Sequence, residues 1–235
     1  MLPSAVQVDL GFLVDGSRNA LESDFKQSLD TVKYIYSTFP ISQEDVHVAL
    51  GIISSSPEII FSFDKYFDKQ SLDMSISSVE FPGASQNSNI GQSLTLVKEM
   101  LYSSSSRKAV RQILVILVHG ESDDSLSDPV RRLRDSGIEI FCLGVGQKIN
   151  GSELAEIAST PTENHVVMDN IINLPRGARD LVDKLQIAKV QQGTLSNERK
   201  RLLKNILFMI IVMFQHVNKD DWVLWVHQLC RTTEK

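Results

Sequence analysis

The chain has 235 residues, a formal net charge of −5, 42% hydrophobic and 23% charged residues, which is typical of a globular protein of one or two domains. Its twelve glycines exclude a collagen triple helix, because that helix needs glycine at every third position. An acidic pI of about 5.6 without a clustered basic face argues against nucleic acid as the main partner.

The two cysteines, Cys142 and Cys230, lie in segments of very different character. They predict neither a zinc site nor a disulfide framework, so the redox compartment stays open. The first eight residues lack the basic start and apolar core of a signal peptide. We therefore expect that the chain either stays inside the cell or is missing its start.

Apolar runs of strand length alternate with helix-period stretches, which predicts a doubly wound α/β fold with a mostly parallel sheet. Val8–Asp15 is predicted as a buried strand, and Leu21–Thr38 as the helix that follows it. Val46–Ile53 and 58–63 are predicted strands joined by the short link 54–57. This link is short enough for a hairpin, so the second strand should be an antiparallel edge strand.

The second half of the pattern continues the same alternation around its most apolar strand, Gln112–Val118, which we expect to be central. A polar loop over 81–89 should lie at the surface. The other predicted elements are helices at 90–102, 127–136, 152–159 (capped by Ser152) and 174–186, and strands at 138–145 and 165–168.

The composition changes near residue 190, which predicts an α/β domain over 5–190 and a helical or disordered tail over 191–235. The tail contains nine consecutive apolar residues, Ile206–Phe214, well short of the roughly 20 that a membrane span requires. We interpret this run as an appended helix and expect no membrane association of the tail. A basic flank, Asn197–Lys204, keeps contact with a membrane surface as an alternative.

Ligands of open α/β sheets gather at the carboxyl ends of the strands, which directs attention to three loops. These are 15–19 (Asp-Gly-Ser-Arg-Asn), 85–91, and 119–124 with its acidic turn. With these loops the chain resembles a von Willebrand factor A domain over roughly residues 5 to 190. That family is marked by a strand ending Asp-x-Ser-x-Ser, a later Thr-x-Thr-Gly loop, and an Asp-Gly turn after the central strand.

Three further segments are similar to the A modules of collagen type VI alpha chains. They are Asn89–Leu94 (Asn-Ile-Gly-Gln-Ser-Leu), Ile140–Gly146 (Ile-Phe-Cys-Leu-Gly-Val-Gly) and Asp180–Leu185. The resemblance implies an interaction module of the extracellular matrix.

In that family the three loops form a metal-ion-dependent adhesion site, in which oxygen ligands hold Mg²⁺ or Mn²⁺. Carried over by position, the site residues here are Asp15, Ser17, Asn19, Ser88 and His119. Asp15 and Ser17 match the motif, Asn19 replaces a serine, Ser88 replaces a threonine, and His119 replaces the aspartate.

The change at His119 removes a fixed negative charge and offers a nitrogen, which Mg²⁺ disfavours. We therefore predict a degenerate site with no cofactor, or with only weakly bound Mg²⁺ or Mn²⁺. Asp123 and Asp124 are near enough along the turn to compensate in part, but we interpret them as an acidic surface loop.

A hydrolase triad is a further interpretation of Asp15, Ser17 and His119, because these residues place a carboxylate, a hydroxyl and an imidazole at strand ends. The sequence contains no Gly-x-Ser-x-Gly elbow and no dinucleotide fingerprint, so we predict neither an enzyme nor a small-molecule substrate. Asn150-Gly-Ser152 is a glycosylation sequon that matters only for a secreted chain.

The resulting prediction is a non-enzymatic protein–protein interaction module. Its expected partners are matrix proteins or other A domains, bound largely without divalent cations, and its expected location is the extracellular matrix. The alternative is an intracellular scaffold that uses the same fold, in keeping with the apparent lack of a leader. The chain is also interpreted as a truncated or diverged member of the family.

Overall fold

The structure is a computed structural model that describes residues 7–83, 86–108 and 110–185. These residues form a six-stranded sheet in the order β3-β2-β1-β4-β5-β6. Every neighbouring pair is parallel except β2 and β3, which are antiparallel. The strands are β1 (Val8–Asp15), β2 (Val46–Ile53), β3 (Glu58–Phe61), β4 (Arg111–Val118), β5 (Glu139–Val145) and β6 (Val166–Asp169).

Helices cover both faces of this sheet, which explains why its inner strands consist mainly of apolar residues. All eight residues of β1 are buried, and so are all eight of β2. The strand predicted to be central, β4, lies between β1 and β5. The predicted α/β fold with one antiparallel edge strand is therefore confirmed.

The helices follow the predicted order along the chain. A π-helical turn, Lys98–Tyr102, extends α3, and a short 3₁₀ turn, Ile171–Asn173, precedes the helix at 174–185. The helices are α1 (Glu22–Ser37), α2 (Lys69–Ser77), α3 (Ile90–Val97), α4 (Ser127–Asp135), α5 (Gly151–Ile157), α6 (Thr162–His165) and α7 (174–185).

One predicted helix cap is wrong. Ser152 was expected to cap α5, but the N-cap is Asn150, whose side chain accepts hydrogen bonds from the main-chain N–H groups of Ser152 and Glu153. An Asn side chain at the cap reaches these otherwise unpaired groups, whereas Ser152 lies inside the first helical turn.

Other local predictions have mixed outcomes. Cys142 is fully buried in β5, and burial raises the pKa of its thiol. The strand predicted to reach Phe63 ends at Phe61. Cys230, the run Ile206–Phe214 and the predicted domain boundary at 190 lie outside the described residues. Among the helices that the structure describes, none combines the length and apolar character needed to cross a bilayer.

Candidate functional site

Asp15 is the last residue of β1, and His119 directly follows β4. The two residues lie side by side because β1 and β4 are parallel neighbours in the sheet. Asp15 Oδ1 accepts the main-chain N–H of Ser17 at 3.0 Å. Its Oδ2 accepts the main-chain N–H of His119, also at 3.0 Å. The carboxylate is fully buried and joins the first loop to the turn after β4.

The imidazole of His119 is buried between the sheet and α1. Its Nε2 lies 3.3 Å from Ser28 Oγ of α1. Its Nδ1 lies 4.0 Å from Asp15 Oδ2 and has no hydrogen-bond partner. Burial lowers the pKa of His119 below its ordinary value of 6.5, against the opposing effect of the Asp15 and Asp24 carboxylates. Burial therefore favours the neutral form of the ring.

Ser17 and Asn19 hold the first loop in a compact turn. Ser17 Oγ accepts the main-chain N–H of Asn19 at 3.2 Å. The Asn19 side chain donates from Nδ2 to the carbonyl oxygen of Glu121 at 3.1 Å. A β-carbon at Gly120 would lie only 2.6 Å from Asn19 Cγ, so glycine at this position allows the two loops to meet.

Ser88 belongs to the second loop, and its main chain is fixed to the turn after β4. The Ser88 N–H donates to Asp123 Oδ2, and the Asp123 N–H donates to the Ser88 carbonyl oxygen, each at 2.8 Å. The Ser88 hydroxyl is buried without a hydrogen-bond partner. All three loops with the predicted residues therefore meet at the carboxyl edge of the sheet.

Arg18 connects the three loops through its side chain, a role that the sequence analysis missed. Its guanidinium donates from Nη1 to Asn87 Oδ1 at 2.7 Å and from Nη2 to Asp123 Oδ1 at 2.5 Å. Its main-chain N–H donates to the Gln86 carbonyl oxygen at 2.7 Å. The one available signal was its place between two predicted site residues, opposite an acidic turn.

The two acids of the turn after β4 are engaged in structural contacts. Asp123 pairs with Arg18 and with the Ser88 main chain. Asp124 accepts the N–H groups of Gly91 and Gln92 at 2.8 and 2.7 Å, and so caps the start of α3. Their carboxylates are thus held by neighbouring loops.

The residues present fit Mg²⁺ poorly. Mg²⁺ requires oxygen ligands in near-octahedral geometry, and here Asp15 is the one carboxylate among the five predicted ligands. The Nδ1 atom of His119 lies 4.0 Å from Asp15 Oδ2, so an imidazole nitrogen stands beside this carboxylate. In the described residues, no group of three or more His, Cys, Asp and Glu side chains is arranged to hold a metal ion.

Asp15, Ser17 and His119 are not connected by hydrogen bonds in the order of a hydrolase triad, because the His119 ring contacts a different serine. His119 faces Ser28 of α1, and the Ser17 hydroxyl accepts a main-chain N–H from Asn19. A nucleophilic serine needs its base within hydrogen-bond reach and a third group to orient that base.

The family model of the von Willebrand factor type A domain matches residues 9–175. Von Willebrand factor A domain-containing protein 1 of Rattus norvegicus is 31% identical over 205 residues, which cover 85% of this chain and 49% of that protein. The collagen alpha-6(VI) chain of Homo sapiens is 25% identical over 206 residues, covering 87% of this chain and 9% of that one. The chain thus spans about half, or less, of the length of these relatives.

A solved structure shares the fold. It is proximal thread matrix protein 1 from the mussel byssus with a zinc-occupied metal-ion-dependent adhesion site, similar with a TM-score of 0.70 and 20% identity. The similarity covers 77% of this chain and 48% of that one. Together with the matched residues and the six-stranded sheet, these findings lead to one conclusion: the chain belongs to the von Willebrand factor type A domain family.

Proposed function

We propose that the chain is a non-enzymatic protein-binding module of the extracellular-matrix type, whose loop face forms without Mg²⁺ or Mn²⁺. The observation that carries this proposal is the direct connection of the three loops by protein groups. Arg18 joins the first loop to Asn87 and to Asp123, and Asp123 holds the main chain of Ser88. In a metal-dependent site, by contrast, the ion itself links the loops.

The ligand set supports the same proposal. The predicted site residues Asp15, Ser17, Asn19, Ser88 and His119 include one negative charge, too few to attract a hard divalent cation strongly. The carboxylates of Asp123 and Asp124 already accept hydrogen bonds from the second loop and from α3. We therefore propose that this degenerate site binds Mg²⁺ and Mn²⁺ weakly or not at all.

The proposed partners are matrix proteins or other A domains, in an extracellular location. A collagen VI chain among the relatives supports this class of partner. The partner would contact the exposed edge of the loops, where the Arg18 side chain is 50% exposed. A charge at the centre of this edge would set the orientation and rate of association more than the final affinity.

The test is surface plasmon resonance on the purified full chain. Collagen VI and a second copy of this chain are immobilised, and binding is measured in Mg²⁺ and again in EDTA. We expect equal binding of at least one of these partners in the two buffers. We also expect a loss of about tenfold or more for Arg18→Glu, because the reversed charge separates the loops and faces Asp123.

The matched control is Arg132→Glu, the same charge reversal on α4, where the side chain is also exposed. It should bind like the parent chain. Loss of binding in EDTA would contradict the metal-independent loop face. Absence of binding to both surfaces, or an equal loss for both variants, would contradict the proposed interaction site.

A further inference from the structure

We propose that Asn150 is an N-glycosylation site whose glycan covers part of the loop face and limits access of protein partners to it. Asn150-Gly-Ser152 is the one N-glycosylation sequon in the sequence of the chain. The inference rests on the proposed function, because the sugar is attached to secreted chains and the loop face is the proposed binding surface. It adds a covalent modification that regulates this surface.

The first observation is the exposure of the sequon. Asn150 and Ser152, the two residues that define it, are both exposed. Asn150 lies just outside α5, as its N-cap, and has an extended backbone conformation. A glycan is bulky and needs an attachment point that faces water. The position of Asn150 meets this requirement.

The second observation is the orientation of the Asn150 amide. Its Oδ1 accepts the main-chain N–H groups of Ser152 and Glu153 at 3.0 and 3.4 Å. Its Nδ2 donates to Glu121 Oε1 at 2.9 Å. Glycosylation replaces one of the two hydrogens on Nδ2 and leaves Oδ1 as an acceptor. The modification is therefore compatible with the cap of α5.

The covalent step uses a lipid-linked oligosaccharide diphosphate as the sugar donor. The bond between C1 of the first sugar and the diphosphate oxygen breaks, and the lipid diphosphate leaves with the bonding electron pair. A bond forms between this C1 and Asn150 Nδ2, which loses one proton. The chain is the substrate of a glycosyl-transferring enzyme of the secretory pathway, and the step needs no oxidant or reductant.

The third observation is the short path from Asn150 to the loop face. Glu121, which accepts the hydrogen bond from Asn150 Nδ2, belongs to the turn after β4. The carbonyl oxygen of Glu121 accepts Asn19 Nδ2 of the first loop at 3.1 Å. The Ser122 N–H donates to the two carboxylate oxygens of Glu153 at 3.0 and 3.3 Å. These contacts fix the start of α5 against the loops.

A glycan on Asn150 therefore begins one residue away from the first loop. Asn19 directly follows Arg18, whose half-exposed side chain connects the three loops. A partner that packs closely against this edge needs the space that the sugars occupy. We expect the glycosylated chain to bind partners less tightly than the chain without the glycan.

The site is tested by secretion of the full chain, fused to a secretion leader, from cultured mammalian cells. Peptide N-glycosidase F should lower the mass of the parent. Ser152→Ala removes the sequon but retains the Asn150 cap, so the enzyme should leave its mass unchanged. Ser152→Thr is the matched control, because it retains the sequon and should carry the glycan. A parent secreted without an enzyme-sensitive glycan, or a glycan that persists in Ser152→Ala, would overturn the inference.

The effect on the loop face is tested by surface plasmon resonance on the partner surfaces used for the proposed function. The glycosylated parent should bind about tenfold or more weakly than Ser152→Ala, because interposed sugars prevent close packing across the interface. Endoglycosidase H, applied to a high-mannose form, leaves one sugar on Asn150 and should restore most of the binding. Equal binding by the glycosylated and trimmed forms would contradict the regulatory role.

A second readout needs no partner. Glu121→Cys places a thiol at an exposed position beside Asn150, and Met100→Cys places one at the far end of α3, where the side chain is 53% exposed. Labelling by a large polyethylene glycol maleimide should be slower at position 121 with the glycan than in the Ser152→Ala background. At position 100 the two rates should agree.

Equal labelling rates at position 121 would overturn the proposed coverage of the loop face. A Ser152→Ala chain that binds neither partner surface would contradict the proposed function. The mass and labelling measurements would still decide the glycan site and its coverage, so the two failures are distinguishable.

Discussion

Asp15 has a structural role that does not depend on a bound ion. Both carboxylate oxygens accept main-chain N–H groups, from Ser17 and from His119, and no part of the side chain is exposed. A carboxylate in this position fixes the first loop against β4 whether or not an ion is bound.

Asp15→Ala should consequently destabilise the fold. It leaves two buried N–H groups without an acceptor, at a combined cost of about 2–4 kcal/mol in the free energy of unfolding. Urea unfolding followed by circular dichroism measures this cost. Asp30→Ala, which changes an exposed carboxylate of α1, is the control and should have almost no effect. An equally small effect at Asp15 would show that its hydrogen bonds contribute little to stability.

Glu139 forms a half-buried ionic network at the opposite edge of the sheet. Its carboxylate accepts hydrogen bonds from Arg111 at 2.6 and 2.9 Å, and it lies 3.0 Å from His165 Nε2. Burial favours the protonated acid, but the His165 hydrogen bond and the Arg111 charge outweigh it and hold the pKa of Glu139 below its ordinary value of 4.5.

This network predicts a particular pH dependence of stability. A carboxyl whose pKa is lowered by folding adds stability above its unfolded-state pKa, and that stability is lost as the pH falls through the folded-state value. Below about pH 4.5 the stability of the parent should therefore fall more steeply than that of Glu139→Gln. Urea unfolding from pH 3 to 7 tests this, and parallel pH profiles would contradict it.

At this scale the sequence predicted which loops form the site, but not how they are connected. The predicted ligands follow strands that the apolar pattern reveals, so their meeting at one edge follows from topology. The Arg18 contacts join residues 69 and 105 positions apart in the chain, and no local spacing encodes them. Whether the five predicted residues bind metal stays a prediction.

At the scale of elements, buried strands were easier to predict than helix ends. The bounds of β1 and β2 agree with the sequence prediction because both are mainly apolar segments of strand length. Helix ends depend on single side-chain contacts, and several residues near α5 have suitable side chains. The π-helical turn after α3 has no comparable signal in its sequence, Lys-Glu-Met-Leu-Tyr.

The two candidate caps of α5 give a direct test. Asn150→Ala should lower the free energy of unfolding by about 1 kcal/mol, because it removes the acceptor of two N–H groups. Ser152→Ala should be nearly neutral, since its side chain lies in the first turn and is exposed. Chemical denaturation of both variants decides between them, and a larger loss at Ser152 would contradict the observed cap.

At the scale of the whole molecule, the alternation of strands and helices was enough to predict the fold class. The parallel order with one antiparallel edge follows from short strands, helical crossovers and a single tight link. The predicted boundaries, 5–190 for the domain and 191–235 for the tail, stay predictions. The buried hydrophobic residues of the described part of the chain extend from Val8 to Leu185.

A fragment of residues 5–190 should therefore fold by itself. A domain of this length buries enough apolar surface for independent stability. We expect a single cooperative transition in urea and a far-UV circular dichroism spectrum typical of a mixed α/β protein. A fragment that unfolds gradually, or that shows little regular structure, would place the domain boundary elsewhere.

The two outer strands of the sheet limit how copies of this module can join. β3 and β6 have four residues each, and the pairing of β3 with β2 shifts in register at Leu50 and Gly51. Such short, irregular edge strands offer few unpaired main-chain N–H and C=O groups to a neighbouring chain. Growth of one continuous sheet through successive copies is thus disfavoured, so any homotypic assembly should be built from side-chain contacts of loops and helices and remain reversible.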